Sequence, residues 1–328
     1  MNQHSPYFIL GDWGTSVSRF FLCKRDRSGK NYLVVDSRTG KGVKSLQNVS
    51  AYFFDLLQDW MQDYEPKHAV ISGMVGSNLG WRTIPYLNLP SSLSALAKAC
   101  VCVNEQSPRI LLVPGLECKN ILGDWDVMRG EEIQLFGALH LDKTLSQESN
   151  ILIGIPGTHS KWIQIKLAQV KNFLTGFSGE LFQLIREHSV LLSDSLTDEA
   201  ATDKQMQQFE KAVRVIKEGN TSLLHRLFSV RSRQIKENLP ADLASYYLSG
   251  LILASDVKEA ISLYAENSGR PNAVSIIASE ELLPYYKIIF DIFSIEVKLV
   301  NARQASLAGL FLVYQSVLRS LKTKELVS

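Results

Sequence analysis

The sequence predicts an α/β protein folded as two lobes that share one cleft. Three observations carry that expectation. The chain has 328 residues, more than one domain usually needs. It opens with strand, turn, strand, strand and helix, and the same opening returns in its second half. The first lobe is expected over residues 1–145 and the second over residues 146–328, with the closing helix free to return to the first lobe.

Tyr7 to Leu10 is an apolar run ending at Gly11, and Val17 to Cys23 is a second run beyond the polar segment Asp12-Trp13-Gly14-Thr15-Ser16. Short apolar runs punctuated by glycine and hydroxyl residues read as strand, tight turn, strand. Tyr32 to Val35 continues the β pattern, Val49 to Tyr64 has helical spacing, and His68 to Ile71 is a buried strand reaching Ser72-Gly73. Asp126 to Glu132 precedes the helical apolar positions Ile133, Leu135, Phe136 and Leu139, and the polar stretch His140 to Asn150 separates the halves. Ile151 to Ile155, the turn Pro156-Gly157-Thr158-His159-Ser160, Trp162 to Leu167 and Asn172 to Thr175 then repeat the opening, with a helix over Gly179 to Leu192. Asp203 to Lys217, Ala241 to Tyr264 and Ala302 to Leu321 are helical by periodicity, while Ala273 to Ala278 and Ile295 to Val300 are strand-like.

Composition narrows the function classes. Hydrophobic residues make up 45% and charged residues 21%, enough apolar material for sizeable cores. Lys and Arg number 35 against 33 Asp and Glu, and a formal charge of +2 leaves no footprint for nucleic acid or an anionic membrane. Met1 to Pro6 is polar and lacks the parts of a signal peptide, and no apolar run reaches membrane-spanning length. A cytoplasmic protein with a small-molecule partner is expected, and a homodimer is compatible with this. Cys23, Cys100, Cys102 and Cys118 suit structural thiols in a reducing compartment. His188 lies beside Leu184 and Leu191 on a helix face, as a packed, hydrogen-bonded histidine would.

The candidate chemistry sits in the turns. In Gly11-Asp12-Trp13-Gly14-Thr15-Ser16 a carboxylate leaves a strand end and is followed by a glycine and two hydroxyls. Such a turn offers backbone N–H groups and hydroxyls to a phosphate, and Asp12 can hold hydrated Mg²⁺. Gly157, Thr158, His159, Ser160 and Lys161 repeat that chemistry in the second half, now with a cation. Two matched turns fit an enzyme that grips a nucleotide tail from both lobes; two hairpin turns chosen for conformation are the alternative. Between Ile71 and Pro90, Ser72, Gly73, Met74, Ser77, Trp81, Arg82 and Tyr86 lie on irregular, glycine-rich backbone that fits a sugar-acid pocket or a packed surface loop. Asp126, Arg129, Glu131 and Glu132 open a helix, where charges can serve chemistry or cap the helix.

Taken together these segments resemble the 2-dehydro-3-deoxygalactonokinases. The similar stretches are Asp12 to Arg19, Gly73 to Tyr86, Val127 to Gln134, Pro156 to Trp162, and Ser178-Gly179-Glu180-Leu181 with His188-Ser189, in the family's order over nearly the whole chain. Leu227 to Arg231 and Tyr247 to Leu251 look similar too. The resemblance implies a two-domain actin-like ATPase fold with an interdomain active site, and ATP-dependent phosphorylation of the 6-hydroxyl of 2-dehydro-3-deoxy-D-galactonate in D-galactonate breakdown. ATP with Mg²⁺ would then lie between the two turns, and the sugar acid against the first lobe. Kinases of another sugar acid, such as 2-dehydro-3-deoxygluconate, and a non-catalytic actin-like nucleotide sensor are the alternatives. Ala278-Ser279-Glu280-Glu281 and Asn301-Ala302-Arg303 stand where the superfamily contacts adenosine and depart from the family pattern there; the resemblance implies Ser279 as a nucleotide contact. The proton from the attacking hydroxyl must go to a base; Asp126, Glu131 and Glu132 are the available carboxylates, with His159 beside them, and Glu131 is preferred. Selection of an anionic substrate calls for a cation, Arg82 ahead of Arg129.

Overall fold

The computed structural model describes residues 5–192 and 201–325; Met1 to His4 of the polar start lie outside them. Strands β1 (Tyr7–Trp13), β2 (Val17–Arg25) and β3 (Tyr32–Lys41) form an antiparallel meander. Phe8, Ile9 and Leu10 are fully buried, which explains why β1 reads as a continuous apolar run: both of its faces are covered. Helices α1 (Val49–Leu56) and α2 (Gln58–Asp63) replace the single helix expected over Val49 to Tyr64. The break falls at Leu57, where the chain turns so that both Leu57 and Trp60 bury and the Trp60 indole donates to Asp36.

Strand β4 (His68–Gly73) lies parallel to β1. Beyond it come β5 (Leu87–Asn88), α3 (Leu93–Lys98), β6 (Val101–Asn104), β7 (Arg109–Leu112), β8 (Leu116–Lys119), β9 (Trp125–Met128), α4 (Glu131–Leu141) and α5 (Lys143–Gln147). The expected boundary at residue 145 falls within α5. The second half continues with β10 (Asn150–Ile155), β11 (Ser160–Lys166), β12 (Gln169–Gly176), α6 (Ser178–His188), α7 (Asp203–Glu218), α8 (Leu223–Lys236), α9 (Ala241–Ser268), β13 (Ala273–Ala278), α10 (Leu283–Phe293), β14 (Lys298–Asn301) and α11 (Ala302–Glu325).

The main sheets run β3-β2-β1-β4-β7-β6 and β12-β11-β10-β13-β14. In each, an antiparallel meander is followed by two parallel strands, so the recurrence in the sequence corresponds to a repeated topology. A third, small sheet, β5-β8-β9, leans on the edge strand of the second: Asn172 Nδ2 donates to Lys119 O at 2.9 Å and the Thr175 amide to Asp126 Oδ2 at 2.8 Å.

Helices α4 and α11 cross between the two main sheets at backbone contact. A Cβ on Gly137 would stand 1.8 Å from Ala305 O, and one on Gly309 would stand 2.0 Å from Ile133 O, so both positions require glycine. The core is continuous through this crossing, from Phe8 and Val70 by way of Ile133 and Leu310 to Ile153 and Ile277. Farther along α11, the rings of Phe311 and Tyr314 stack on Phe8 at 5.8 and 4.1 Å, so the closing helix packs against β1 of the first sheet. Cys23 and Cys118 are buried free thiols, and Cys100 and Cys102 are partly buried. His188 differs from expectation: it is largely exposed beside Glu187, because it sits in the last turn of α6 facing away from the core.

Candidate active-site cleft

Asp12 is delivered by the end of β1 and stands in register between Arg19 on β2 and Ser72 on β4. Its carboxylate lies 3.9 Å from the Arg19 guanidinium; burial pushes its pKa up and Arg19 opposes the rise. Gly11 is buried in the strand, whereas the tip Thr15-Ser16 is exposed and partly held by the chain beyond β3, with Val43 N donating to Gly14 O at 3.1 Å and Lys44 N to Thr15 O at 3.2 Å. The tip can therefore offer hydroxyls to a ligand from a fixed backbone.

The second turn is built against the start of α6. Glu180 N donates to Thr158 O at 2.8 Å, and Gly179 packs so closely that a Cβ there would stand 2.1 Å from Gly157 O. His159 stacks on Phe177 and bonds Glu180 through its Nε2 at 2.5 Å, which orients the ring but also occupies it. Gly157, Thr158 and His159 are exposed, while Ser160 and Lys161 point inward. Lys161 Nζ donates to Val127 O at 2.8 Å and to Thr175 Oγ1 at 2.6 Å.

In the loop after β4, Ser72 is buried, Gly73 adopts φ 94° over the Trp13 backbone, and Met74 starts a short 3₁₀ turn capped by Ser77 Oγ donating to Met74 O at 2.7 Å. Trp81 packs on Phe53 and Phe54, and Arg82 is exposed. Arg129 is 9% exposed: Nη2 donates to Ile84 O at 2.8 Å and the guanidinium stacks 4.2 Å above the Tyr86 ring. Arg129 thus fastens the loop from beneath.

Glu131 and Glu132 turn back on the peptide groups before α4. Arg129 N donates to Glu131 Oε2 at 3.0 Å and Gly130 N to Glu132 Oε2 at 2.7 Å. Burial raises the Glu131 pKa, the charge of Lys161 lowers it and that of Asp12 raises it further, so Asp12, Glu131 and Lys161 lie within electrostatic reach of one another. Glu132 is fully buried, and burial together with Glu131 lifts its pKa to about 8. Asp126 is brought elsewhere: both of its oxygens are engaged by Thr175, through the amide and the hydroxyl.

A cleft of about 550 Å³ opens above Asp12 and Arg19, with Gln134 on its floor and Ser279, Glu280, Asn301 and Arg303 across from them. A smaller pocket of about 170 Å³, largely apolar, lies beside Gly157, Ser178 and Gly179, walled by Ile252, Leu253 and Tyr286. Sequence reasoning did not single out Gln134, Tyr286 or the cleft face of Arg303; all sit on helices whose apolar spacing explains them equally well as packing residues.

Two sheets of like topology, flanking a cleft lined by Asp12 from the first and by Ser279 and Asn301 from the second, define a member of the actin-like ATPase superfamily. Over 95% of this chain and 99% of its own, a crystal structure from Sinorhizobium meliloti, provisionally named a 2-dehydro-3-deoxygalactonokinase, superposes with a TM-score of 0.81 at 28% identity. An activator of 2-hydroxyisocaproyl-CoA dehydratase from Clostridium difficile shares the fold at a TM-score of 0.51 and 11% identity, covering 97% of each chain. The 2-dehydro-3-deoxygalactonokinase of Escherichia coli (strain K12) is 30% identical, covering 92% of this chain and 96% of the relative. The family model for 2-keto-3-deoxy-galactonokinase matches residues 12–313, and the chain belongs to that family. Among the described residues no helix is long and apolar enough to cross a membrane.

Proposed function

We propose that this chain transfers the γ-phosphoryl group of ATP to the 6-hydroxyl of 2-dehydro-3-deoxy-D-galactonate, in the cytoplasmic breakdown of D-galactonate. Beyond family membership, the observation that carries the proposal is Asp12, delivered by the end of β1 onto the wall of the interlobe cleft, with Glu131 at the start of α4 within electrostatic reach of it. Phosphoryl transfer needs positioning and charge stabilisation more than covalent chemistry, and this arrangement supplies both.

In this reading the nucleotide phosphates lie between the tips Gly14-Thr15-Ser16 and Gly157-Thr158-His159, and the purine turns toward the apolar pocket beside Tyr286, close to Ser279. The donor chemistry fits magnesium, which binds through one or two carboxylates plus substrate phosphates and keeps several waters. Asp12 has a partly accessible carboxylate with Arg19 no nearer than 3.9 Å, and would hold the ion there. Bound magnesium offsets charge that develops on the transferring group. Glu131 accepts the proton of the attacking hydroxyl; its raised pKa brings it toward the range in which a general base works best. Ser72, Gly73, Met74, Ser77, Trp81 and Tyr86 shape the sugar-acid side with Glu132 behind them. Arg82 is the accessible cation for the substrate carboxylate; Arg129 is buried, gives Nη2 to Ile84 O and stacks on Tyr86, and keeps Nε and Nη1 without a hydrogen-bond partner.

ADP release measured with ATP and a panel of acceptors tests the proposal. Turnover is expected with 2-dehydro-3-deoxy-D-galactonate, less with 2-dehydro-3-deoxygluconate and little with neutral hexoses. ATP binding without phosphorylation of any sugar acid would favour a nucleotide sensor instead.

A further inference from the structure

Behind the second turn lies a carboxylate that the mechanism above does not use. Asp256 belongs to the long helix α9, whose neighbouring residues Ala254, Val257 and Ala260 are packed in the second core, so its position is set by a rigid platform. Its Oδ1 accepts from Trp162 Nε1 at 3.1 Å, and its Oδ2 accepts from Ser178 Oγ at 3.1 Å. Trp162 follows the turn on β11, and Ser178 is the first residue of α6, whose next residue, Gly179, packs on Gly157. A Cβ on Gly176 would stand 2.4 Å from Ser160 Oγ and 2.5 Å from Asp256 Oδ1, so Ser160, the last residue of the turn, and Asp256 crowd the same glycine. One side chain thus gathers the strand leaving the turn, the helix backing it and the turn's last residue.

We propose that Asp256 is a positioning residue for the nucleotide phosphates: it fixes the Gly157–Ser160 turn relative to α6 so that the turn is formed before ATP arrives. The inference rests on the reading of that turn as a phosphate grip. Asp256 itself does not reach the cleft; it acts through Trp162, Ser178 and the backbone they hold. A turn fixed in advance binds without an ordering cost, and a small displacement of a phosphate-holding group lowers turnover steeply.

The test uses the full chain with Asp256→Asn and Ser178→Ala, comparing Mg-ATP affinity by calorimetry, steady-state constants for each substrate and thermal melting. For Asp256→Asn, kcat/KM for ATP is expected to fall about tenfold with a parallel loss of ATP affinity, while KM for the sugar acid stays within about twofold. Ser178→Ala, which removes one of the two bonds, is expected to shift the same constants in the same direction by about threefold. Unchanged ATP constants in a cooperatively folded Asp256→Asn protein would overturn the proposal, as would equal losses for both substrates, the mark of general loosening. Should Asp256→Asn fail to fold, Ser178→Ala and Trp162→Phe decide: normal ATP constants in both overturn it. Wild-type protein that binds ATP but phosphorylates no sugar acid would defeat the kinase reading alone, and the affinity comparison would still judge Asp256.

Discussion

A carboxylate at the end of a buried strand resists ionisation unless a cation or ligand meets it, and Asp12 has Arg19 beside it for that purpose. Asp12→Asn keeps the shape and removes the charge, so turnover should fall by two or more orders of magnitude, on the order of 3 kcal/mol in the barrier, with melting unchanged; normal turnover in the folded variant would remove Asp12 from the chemistry. Glu132 makes a different prediction. Its pKa is about 8 in the folded protein against an ordinary 4.5, so the folded state holds a proton that the unfolded state has released. The associated stability is complete below the ordinary value and is lost as pH rises through about 8. Melting temperatures of wild type and Glu132→Gln, compared from about pH 5 to pH 9, should diverge in favour of the glutamine variant at high pH; parallel curves would show that Glu132 titrates normally. Asp12, Gly157 and Glu131 stand out in the sequence as candidates because each belongs to a short motif with its proposed chemistry in consecutive residues. Asp126 and Arg129 were legible as polar residues near the site but not in their roles, since Thr175 and Ile84, the groups that occupy them, lie far along the chain. Asp256 left no local signal at all.

At the scale of elements, the crossing of α4 and α11 depends on two glycines that periodicity treats as ordinary helix positions. Gly309→Ala raises intrinsic helix propensity, yet its methyl would meet the Ile133 carbonyl at 2.0 Å, so the helices must separate. A net loss of about 1–3 kcal/mol is expected by urea denaturation, opposite in sign to the propensity effect; a stabilised variant would mean that the crossing is looser than its geometry. The long periodic helices α7, α9 and α11 and the apolar strands β1, β4, β10 and β13 follow directly from pattern, because burial imposes it. The strands β6 to β9 are four residues each, too short to carry a periodicity, and their existence depends on partners elsewhere: β7 on β4, and the β8–β9 pair on β12. The break at Leu57 likewise answers to Asp36, a residue on a separate strand.

At the scale of the whole molecule, two sheets that share a five-strand order, the first with β6 added at its edge, flank a cleft and pack on a common core. Binding should draw the lobes together, because each carries one of the turns proposed to hold the phosphates and water must be kept from the transferring group. Small-angle scattering is expected to give a smaller radius of gyration with an ATP analogue and sugar acid together than with neither; an unchanged radius with both demonstrably bound would argue for a preformed cleft. The packing of α11 against β1 carries a consequence for biosynthesis. Phe8 emerges from the ribosome early, but Phe311 and Tyr314, which cover it, emerge long afterward. Domains usually fold in the order in which they are made, whereas here the earliest strand stays uncovered on one face until nearly all of the described chain has been translated. A chain cut short before α11 therefore lacks the Phe311 and Tyr314 rings that stack on Phe8, and its first sheet is left without part of its cover.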